Sequence, residues 1–465
     1  MVNRLVLFLE MHQPRRINPL LPYAVNRGLE LFDDGLNRRI AERVAANSYR
    51  RVLSIIGEAH ELYGSRVAIG ITGTLLEQLR RWAGDVVTQL GKLAEMGAIE
   101  LVGETYYHSL ASELDMGEFR EQVAMHVEAM RELGAKPITA ENTEFILNNR
   151  VADAVAGMGF QALLGEGVER VLGWRSPNYL YRINGVKLLL RNYRLSDDVG
   201  FRFSNREWDQ YPLTADKYVE WIKASPGDLV FIGMDMETFG EHQWEGTGIL
   251  EFLRWFFRHA RDGGVRIEAP SDIVKELEAR EGISIEPWGT ISWADREKDL
   301  SAWLGNEAQL RAFSFLRLAF AAAKRAGRDL EAWRYLSTSD HLYYLSGKHG
   351  PEGAVHGYFS PGNPTRYFDA FMAAIERVWS HSTLKLGDAE LLEAVRGIEL
   401  PSEAWFRIDL GESSVVGKSI DEVESLLREH GDARRRYCGS GDVERWLTNL
   451  LGPMGRRVAQ GVCGQ

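Results

Sequence analysis

The sequence contains little cysteine and no long apolar run. Its two cysteines, Cys438 and Cys463, both lie close to the C-terminal end of the 465 residues. A disulfide framework or a cysteine-ligated zinc site is therefore excluded for the main body, and this cysteine usage is typical of a reducing compartment. The apolar run before Glu10 is too short for a signal peptide or a membrane span. We therefore expect a cytoplasmic protein with no membrane partner.

Basic residues are in the minority, with 55 Lys and Arg against 66 Asp and Glu and a formal net charge of −11. Phosphate binding needs a clustered basic surface, so we expect no nucleic-acid partner. The sequence has no internal repeat, and no Gly-x-Gly-x-x-Gly motif follows a strand-like segment to indicate a dinucleotide site. We expect no cofactor, and the sequence leaves the oligomeric state open.

Strand-like and helix-like patterns alternate through the first part of the chain, which predicts an α/β fold. The strand-like segments are Arg4–Met11, Arg66–Ile71, Ala98–Val102, the start of Pro137–Asn149, Ala162–Leu164, Val186–Leu190, Asp228–Met234 and Val265–Ile267. A right-handed βα succession of this length favours a closed or nearly closed barrel over an open sheet. Asn184-Gly185 also predicts a hairpin between Tyr179–Ile183 and Val186–Leu190, and the apolar spacing from Leu75 to Leu93 predicts one amphipathic helix.

The composition changes after about Arg280, where Pro287, Trp288 and Gly289 indicate a linker. Long helices are predicted at Glu307–Gly327, Leu330–Ser346 and Thr365–Ser380. In the tail, we predict helices at Ser419–His430 and Asp442–Leu451, separated by the basic run Arg434–Arg436. The predicted domains are therefore a catalytic barrel over 1–280, a helical domain over 281–400 and a small C-terminal module over 401–465, to which we assign no role.

Two strand ends carry clustered carboxylates. Asp228–Glu245 runs from an apolar strand into Asp235 and Glu237, and Pro137–Asn149 delivers Glu141 and Glu144. Parallel folds place their chemistry at the C-terminal ends of strands. Glycoside hydrolysis needs a pair of carboxyl groups from separate parts of the chain, so this pair indicates a glycosidase, although each cluster alone is equally compatible with a solvated acidic loop.

Five segments then occur in a recognisable order along the chain. They are His12-Gln13-Pro14, Gly103–Leu110, Asn142-Thr143-Glu144, Met234–Trp244 and Ser292–Asn306. Together they resemble the five sequence regions of family 57 glycoside hydrolases, and the likeness covers about Met1–Glu390. Within that family the chain is most similar to the α-amylase-type members, whose relatives include 4-α-glucanotransferases, branching enzymes and amylopullulanases.

The resemblance implies an incomplete (β/α)7 TIM-like barrel, followed by a helical domain that closes over the active site. It implies a retaining mechanism on α-1,4-glucans or maltooligosaccharides, with Glu144 as the nucleophile and Asp235 as the general acid/base. It implies substrate-binding roles for His12, His108 and Trp303. Asp299, His242 and Trp244 are further candidates for substrate contact.

Several alternatives stay open at this point. A 4-α-glucanotransferase or a branching enzyme would carry the same motifs. A metal-dependent hydrolase could draw its ligands from His12, His108, Asp235, Glu237 and His242, but no His-x-x-x-His or Asp-x-Asp spacing supports it, and we expect no metal. A non-catalytic glucan-binding protein is the third alternative. Glu237 and Glu241 are more often structural partners than catalysts, and Trp244, Trp293 and Trp303 could be core aromatics.

Overall fold

The computed structural model describes residues 2–23, 28–348, 363–411, 413–452 and 455–464. Two compact units make up the chain. The first contains Met1–Arg16 with Phe32–Ala302, and the second contains Ile17–Leu31 with Trp303–Gln465. The predicted domain boundaries at 280 and 400 remain predictions.

The first unit is built on parallel strands. Its strands are β1 Arg4–Met11, β2 Val67–Ile71, β3 Ile99–Leu101, β4 Thr139–Ala140, β5 Ala162–Glu166, β6 Tyr181–Ile183, β7 Val186–Arg191, β8 Val230–Asp235, β9 Phe239–Gly240, β10 Gln243–Trp244 and β11 Arg266–Ile267. One sheet has the order β11-β1-β2-β3 with β8 also paired to β1, and a second has the order β4-β5-β7-β6. An isolated parallel bridge between Gly103 and Ala140 joins them.

The strand sequences explain why the sheet is covered on both faces. Every residue of β1 is buried, from Arg4 to Met11, and β2 is buried throughout. Such continuous apolar runs belong to parallel sheets flanked by helices on one side and by other strands on the other. Near the end of β7, the backbone N–H of Asn192 donates to the carbonyl of Phe231 on β8 at 2.7 Å. The unit therefore has an α/β barrel-like fold.

Helices connect successive strands of the first unit. They are Asp34–Val44, Arg50–Tyr63, Gly73–Trp82, Gly84–Glu95, Ala111–Leu114, Met116–Glu132, Asn149–Gly157, Glu169–Leu172, Tyr193–Gly200, Ala215–Ala224, Ile249–Asp262 and Pro270–Glu276. A π-helical segment, Ala45–Tyr49, joins the first two, and 3-10 turns occur at Thr143–Phe145, Met236–Thr238, Glu245–Thr247 and Pro287–Gly289. The turn Pro287–Gly289 is followed by the short helix Ser301–Leu304. This helix begins in the first unit, and its last two residues belong to the second.

The second unit is mainly helical. Its helices are Glu307–Ala326, Leu330–Leu336, Ser339–Tyr343, Pro364–Thr383, Asp388–Val395, Ile420–Glu429, Gly431–Gly439, Asp442–Leu451 and Gly455–Gly464, with 3-10 turns at Leu21–Tyr23 and Ser402–Ala404. An antiparallel hairpin, β12 Phe406–Asp409 with β13 Ser414–Gly417, interrupts them. One apolar cluster contains Leu318 and Leu391 together with Ile408 and Val443. The residues before and after position 400 therefore share a core.

The structure corrects several predicted elements. The single helix expected from Leu75 to Leu93 is two helices, because Ala83 leaves the helical backbone (φ −150°, ψ 52°) and Gly84, a poor helix former, follows it. The single helix expected over Leu330–Ser346 is also two, broken where Thr338 has an extended backbone. Arg434–Arg436 does not separate two helices but lies inside Gly431–Gly439, and the hairpin was not predicted.

The two cysteines form a disulfide between Cys438 and Cys463, which links Gly431–Gly439 to Gly455–Gly464. A disulfide is unusual in the reducing compartment that cysteine usage suggested, so the cytoplasmic location stays a prediction. Among the described helices, none is both long and apolar enough to cross a membrane.

Candidate active site

Polar side chains gather at the C-terminal ends of the parallel strands. Asp235 is the last residue of β8, and its register neighbour on β1 is Glu10. The loops after β3 and β4 add His108 and Glu144. Because the strands are parallel, these four side chains come from one edge of the barrel.

Glu144 lies in a turn with a left-handed backbone (φ 59°, ψ 23°). Its carbonyl accepts the backbone N–H of Trp293 at 3.0 Å, and its Oε2 accepts the indole N–H of Trp293 at 2.5 Å. Its Oε1 lies 3.4 Å from Nε2 of His108. The two hydrogen bonds from Trp293 therefore hold the Glu144 side chain in one orientation.

His108 is buried, and its ring stacks on the ring of His12 with centroids 4.1 Å apart. Its Nδ1 lies 3.6 Å from Glu104. Burial lowers the pKa of His108, but the carboxylates of Glu104 and Glu144 outweigh it and raise that pKa well above its ordinary value. The carboxyl groups on either side of His108 therefore favour the protonated form of its ring. His12 is fixed in turn, because its Nδ1 lies 2.9 Å from the Thr72 hydroxyl.

Glu104 belongs to a cluster of three buried carboxyl groups. They are Glu10, Glu104 and Glu141, and at most 2% of each residue is exposed. Burial, followed by their mutual repulsion, raises the pKa of Glu104 and of Glu141 well above its ordinary value, and burial raises the pKa of Glu10. Gly70 provides space, because a Cβ there would lie 2.2 Å from Oε2 of Glu10. These groups hold protons at pH values where exposed carboxyls have lost them.

Asp235 is surrounded mainly by like charges. Its withdrawal from bulk water raises the pKa of Asp235 well above its ordinary value, and the carboxylates of Glu237, Glu144 and Glu10 raise it further. Burial also raises the pKa of Glu237 to about 7, although hydrogen bonds oppose this shift. The donors are the hydroxyl of Tyr49 and the amide of Gln13, the latter at 3.1 Å. The surroundings of Asp235 thus favour its protonated form, as the role of a general acid requires.

One group of side chains could hold a metal ion in the described part of the chain. Glu10, Glu104 and His108 each offer a ligand atom, and these atoms lie within 4.8 Å of one another. This group differs from the ligand set that the sequence suggested for a metal-dependent hydrolase, with which it shares only His108. The ion pair of His108 with Glu104 accounts for their proximity without a metal.

The other predicted substrate contacts lie in varied surroundings. The backbone N–H of His242 donates to the carbonyl of Glu237 at 2.8 Å, and burial lowers the pKa of His242 to about 3. Trp244 is 69% exposed. Asp299 accepts the backbone N–H of Ser301 at 2.8 Å. Trp303 belongs to the second unit, where it is fully buried 6.3 Å from the ring of Tyr343.

Sequence reasoning missed the roles of two aromatic residues. Trp293 sits in a recognised motif, and its indole contact with Glu144 could have been suspected from that position. Tyr49 lies in a helical region far from any motif, so no local signal points to its contact with Glu237. Glu237 itself is held by Tyr49 and Gln13, as expected of a structural partner.

Comparison with known proteins identifies the family to which the chain is similar. A model described as Glycosyl hydrolase family 57 matches residues 6–286. A protein of Methanocaldococcus jannaschii named "Putative alpha-amylase" is 43% identical over 366 residues, which cover 76% of this chain and 78% of that protein.

Solved structures share the fold. The 4-alpha-glucanotransferase from Thermococcus litoralis matches with a TM-score of 0.56 at 15% identity over 74% of this chain, which spans 56% of that enzyme's length. The GH57-type branching enzyme from Pyrococcus horikoshii matches with a TM-score of 0.58 at 15% identity, over 84% of this chain and 94% of that one. Since the family model matches more than half of the sequence, the chain belongs to glycosyl hydrolase family 57.

Proposed function

We propose that the protein is a retaining glycoside hydrolase of the α-amylase type, acting on α-1,4-glucans. The contrast between Glu144 and Asp235 carries the proposal. The carboxyl group of Glu144 accepts the indole N–H of Trp293 and lies 3.4 Å from the ring of His108, whereas Asp235 is half-buried among like charges that raise its pKa. This contrast suits a nucleophile at Glu144 and a general acid at Asp235.

In the first step, the carboxylate of Glu144 attacks the anomeric carbon while the proton of Asp235 passes to the leaving glycosidic oxygen. The bond between the sugar and that oxygen breaks, and a glycosyl ester on Glu144 forms. In the second step, a water attacks the same carbon, its proton returns to Asp235, and the ester bond breaks. Two inversions at one carbon give retention, so an α-linked glucan yields an α-anomer.

The substrate class rests on the family and its relatives. The similar protein named "Putative alpha-amylase" and the fold shared with glucan-modifying enzymes favour an α-glucan or maltooligosaccharide. We assign substrate contacts to His12 and His108, which border Glu144, and propose further contacts for Trp303, Asp299, His242 and Trp244. We also propose that the parallel strands form the incomplete (β/α)7 barrel expected from the resemblance.

Product analysis on maltooligosaccharides of defined length tests the activity. Smaller sugars alone would support a hydrolase, and products longer than the substrate would identify a transferase instead. Proton NMR of the first product should show the α-anomer. A β-anomer appearing first would contradict retention and both role assignments.

The roles are tested by replacing Glu144 and its neighbour separately. Glu144→Gln should bind maltooligosaccharide nearly as tightly as wild type but turn over at far less than a tenth of its rate, because an amide cannot form the ester. Glu141→Gln is the matched comparison, since Glu141 is the next carboxyl along the same segment. A fully inactive Glu141→Gln beside an active Glu144→Gln would transfer the nucleophile role to Glu141.

A further inference from the structure

A second buried ionic cluster lies outside the residues assigned to catalysis. Its centre is the guanidinium of Arg191, the last residue of β7. Nη1 of Arg191 donates to Glu166 at 2.8 Å, and Nη2 donates to Asp197 at 2.7 Å. Lys298 adds a second cation 3.7 Å from Glu166. The arginine is therefore held in one orientation by two carboxylates, and its third nitrogen, Nε, is left to donate to another partner.

The N–H on this third nitrogen reaches the strand that carries the proposed acid. Nε of Arg191 donates to the carbonyl of Gly233 at 2.7 Å. Gly233 lies on β8, two residues before Asp235. On the other side of Gly233, its N–H donates to the Ser196 hydroxyl at 3.2 Å. Both main-chain groups of this residue are thus fixed by side chains, which sets the position of the strand end.

The same guanidinium also faces the aromatic ring that contacts the proposed nucleophile. Cζ of Arg191 lies 5.7 Å from the ring centroid of Trp293, within the range of a cation–π interaction. Trp293 donates to Glu144 from its backbone and from its indole. Lys298 supports the same loop, because its Nζ lies 3.4 Å from the Trp293 carbonyl. One side chain therefore touches the supports of both catalytic carboxyls.

We infer that Arg191 is a positioning residue that sets the geometry of Glu144, through Trp293, and of Asp235, through Gly233. This inference rests on the proposed roles of those two carboxyls. Lysine cannot replace arginine here, because an ammonium lacks the planar face over the indole and the fork that reaches three partners at once. A displacement of about 1 Å at reacting groups costs on the order of 100-fold in rate.

The test compares Arg191→Lys with Arg4→Lys. Arg4 is an equally buried guanidinium that also binds two carboxylates, Glu268 at 2.8 Å and Glu276 at 2.7 Å, but it lies at the N-terminal end of β1. We expect Arg191→Lys to lower kcat on maltooligosaccharides by about 10- to 100-fold with KM within about threefold. Arg4→Lys should change kcat by less than about twofold at a similar loss of thermal stability.

A second variant, Trp293→Phe, keeps a ring but removes the indole N–H from Glu144. If Arg191 acts partly through Trp293, the effects of Arg191→Lys and Trp293→Phe should not multiply. The fold-loss in kcat of the double variant should be smaller than the product of the two single fold-losses. Any of three results would overturn the inference. They are an unchanged kcat in Arg191→Lys, a loss of kcat in Arg4→Lys as large as that in Arg191→Lys, and a double variant whose loss equals the product of the single losses. None of these outcomes bears on the proposed activity, which instead fails if Glu144→Gln and Asp235→Asn both keep wild-type turnover.

Discussion

The contact between Tyr49 and Glu237 makes a prediction that can be worked out in detail. Tyr49 is fully buried, and its hydroxyl donates to a carboxyl whose pKa burial raises to about 7. In Tyr49→Phe that donor is lost. A hydrogen bond to a charged group contributes about 1.5–3 kcal/mol and a neutral one about 0.5–1.5 kcal/mol. The variant should therefore lose about 1 kcal/mol more stability when Glu237 is ionised than when Glu237 is protonated. This difference raises the pKa of Glu237 in the variant by roughly one unit.

The sign of the pH dependence follows from this difference. The pKa of Glu237 is higher in the folded protein than its ordinary 4.5. Such a group contributes stability that is fully present below the ordinary value and is lost as the pH rises through about 7. Tyr49→Phe enlarges this loss, so the variant should be destabilised more at high pH than at low pH.

Urea unfolding of wild type and Tyr49→Phe at about pH 5 and about pH 9 measures the effect, with an expected increase in ΔΔG of about 1 kcal/mol. Tyr218→Phe is the control, because Tyr218 is equally buried but its hydroxyl donates to the neutral carbonyl of Leu195 at 2.7 Å. A destabilisation of Tyr49→Phe that does not depend on pH, or one matched by Tyr218→Phe, would refute the reasoning.

Two further predictions concern Asp235 and His242. Asp235→Asn should lose far more activity on maltooligosaccharides than on an activated aryl α-glucoside, whose leaving group needs no proton; equal losses on both would contradict the acid role. Burial lowers the pKa of His242 to about 3 from an ordinary 6.5, so wild type should lose stability as the pH falls through that window. In urea unfolding, His242→Gln should lose less stability than wild type between about pH 7 and about pH 4.5. An equal loss of unfolding free energy in both proteins over this range would disprove the prediction.

Strands and carboxylate-bearing strand ends were predictable because their signals are local. The apolar run of β1 was placed at Arg4–Met11, as observed, and the Asn184-Gly185 turn does join two antiparallel strands. Both turn residues have positive φ, the condition that Asn and Gly meet most easily. Asp235 was predicted at a strand end and is the last residue of β8.

The partners of those carboxyls could not be read from the sequence, because they come from distant parts of the chain. Glu144 and Trp293 are 149 residues apart, and Tyr49 and Glu237 are 188 apart. Arg191 was visible only as a member of a charged segment. Nothing local distinguishes a tyrosine that donates to a buried glutamate from a tyrosine that packs in a core. Long-range pairing of this kind depends on the barrel-like fold, which brings the ends of its parallel strands together.

Several non-glycine residues with a left-handed backbone lie near the proposed nucleophile in the sequence or in the segments that contact it. Among the described residues, non-glycine residues with positive φ include His108, Glu144, Phe145, Asp295 and Lys298. The first three lie in the loops that form the site, and the last two follow Trp293 in the same segment of the chain. Left-handed backbone costs an L-residue about 1–2 kcal/mol, so these loops keep their shape only because contacts such as the two Trp293 hydrogen bonds hold them.

This strain can be measured at Glu144 with two inactive variants, Glu144→Ala and Glu144→Gly, which both remove the carboxylate and the indole contact. In an unstrained position, glycine is usually less stable than alanine by about 0.5–1 kcal/mol, because it loses more backbone freedom on folding. At φ 59° the order should reverse, since glycine alone has no Cβ penalty there. Glu144→Gly should therefore be the more stable by about 1 kcal/mol in urea unfolding. If Glu144→Ala is instead equally or more stable, the turn relaxes once the carboxylate is gone, and the left-handed backbone is a consequence of the Glu144–Trp293 contact rather than a constraint imposed by the fold.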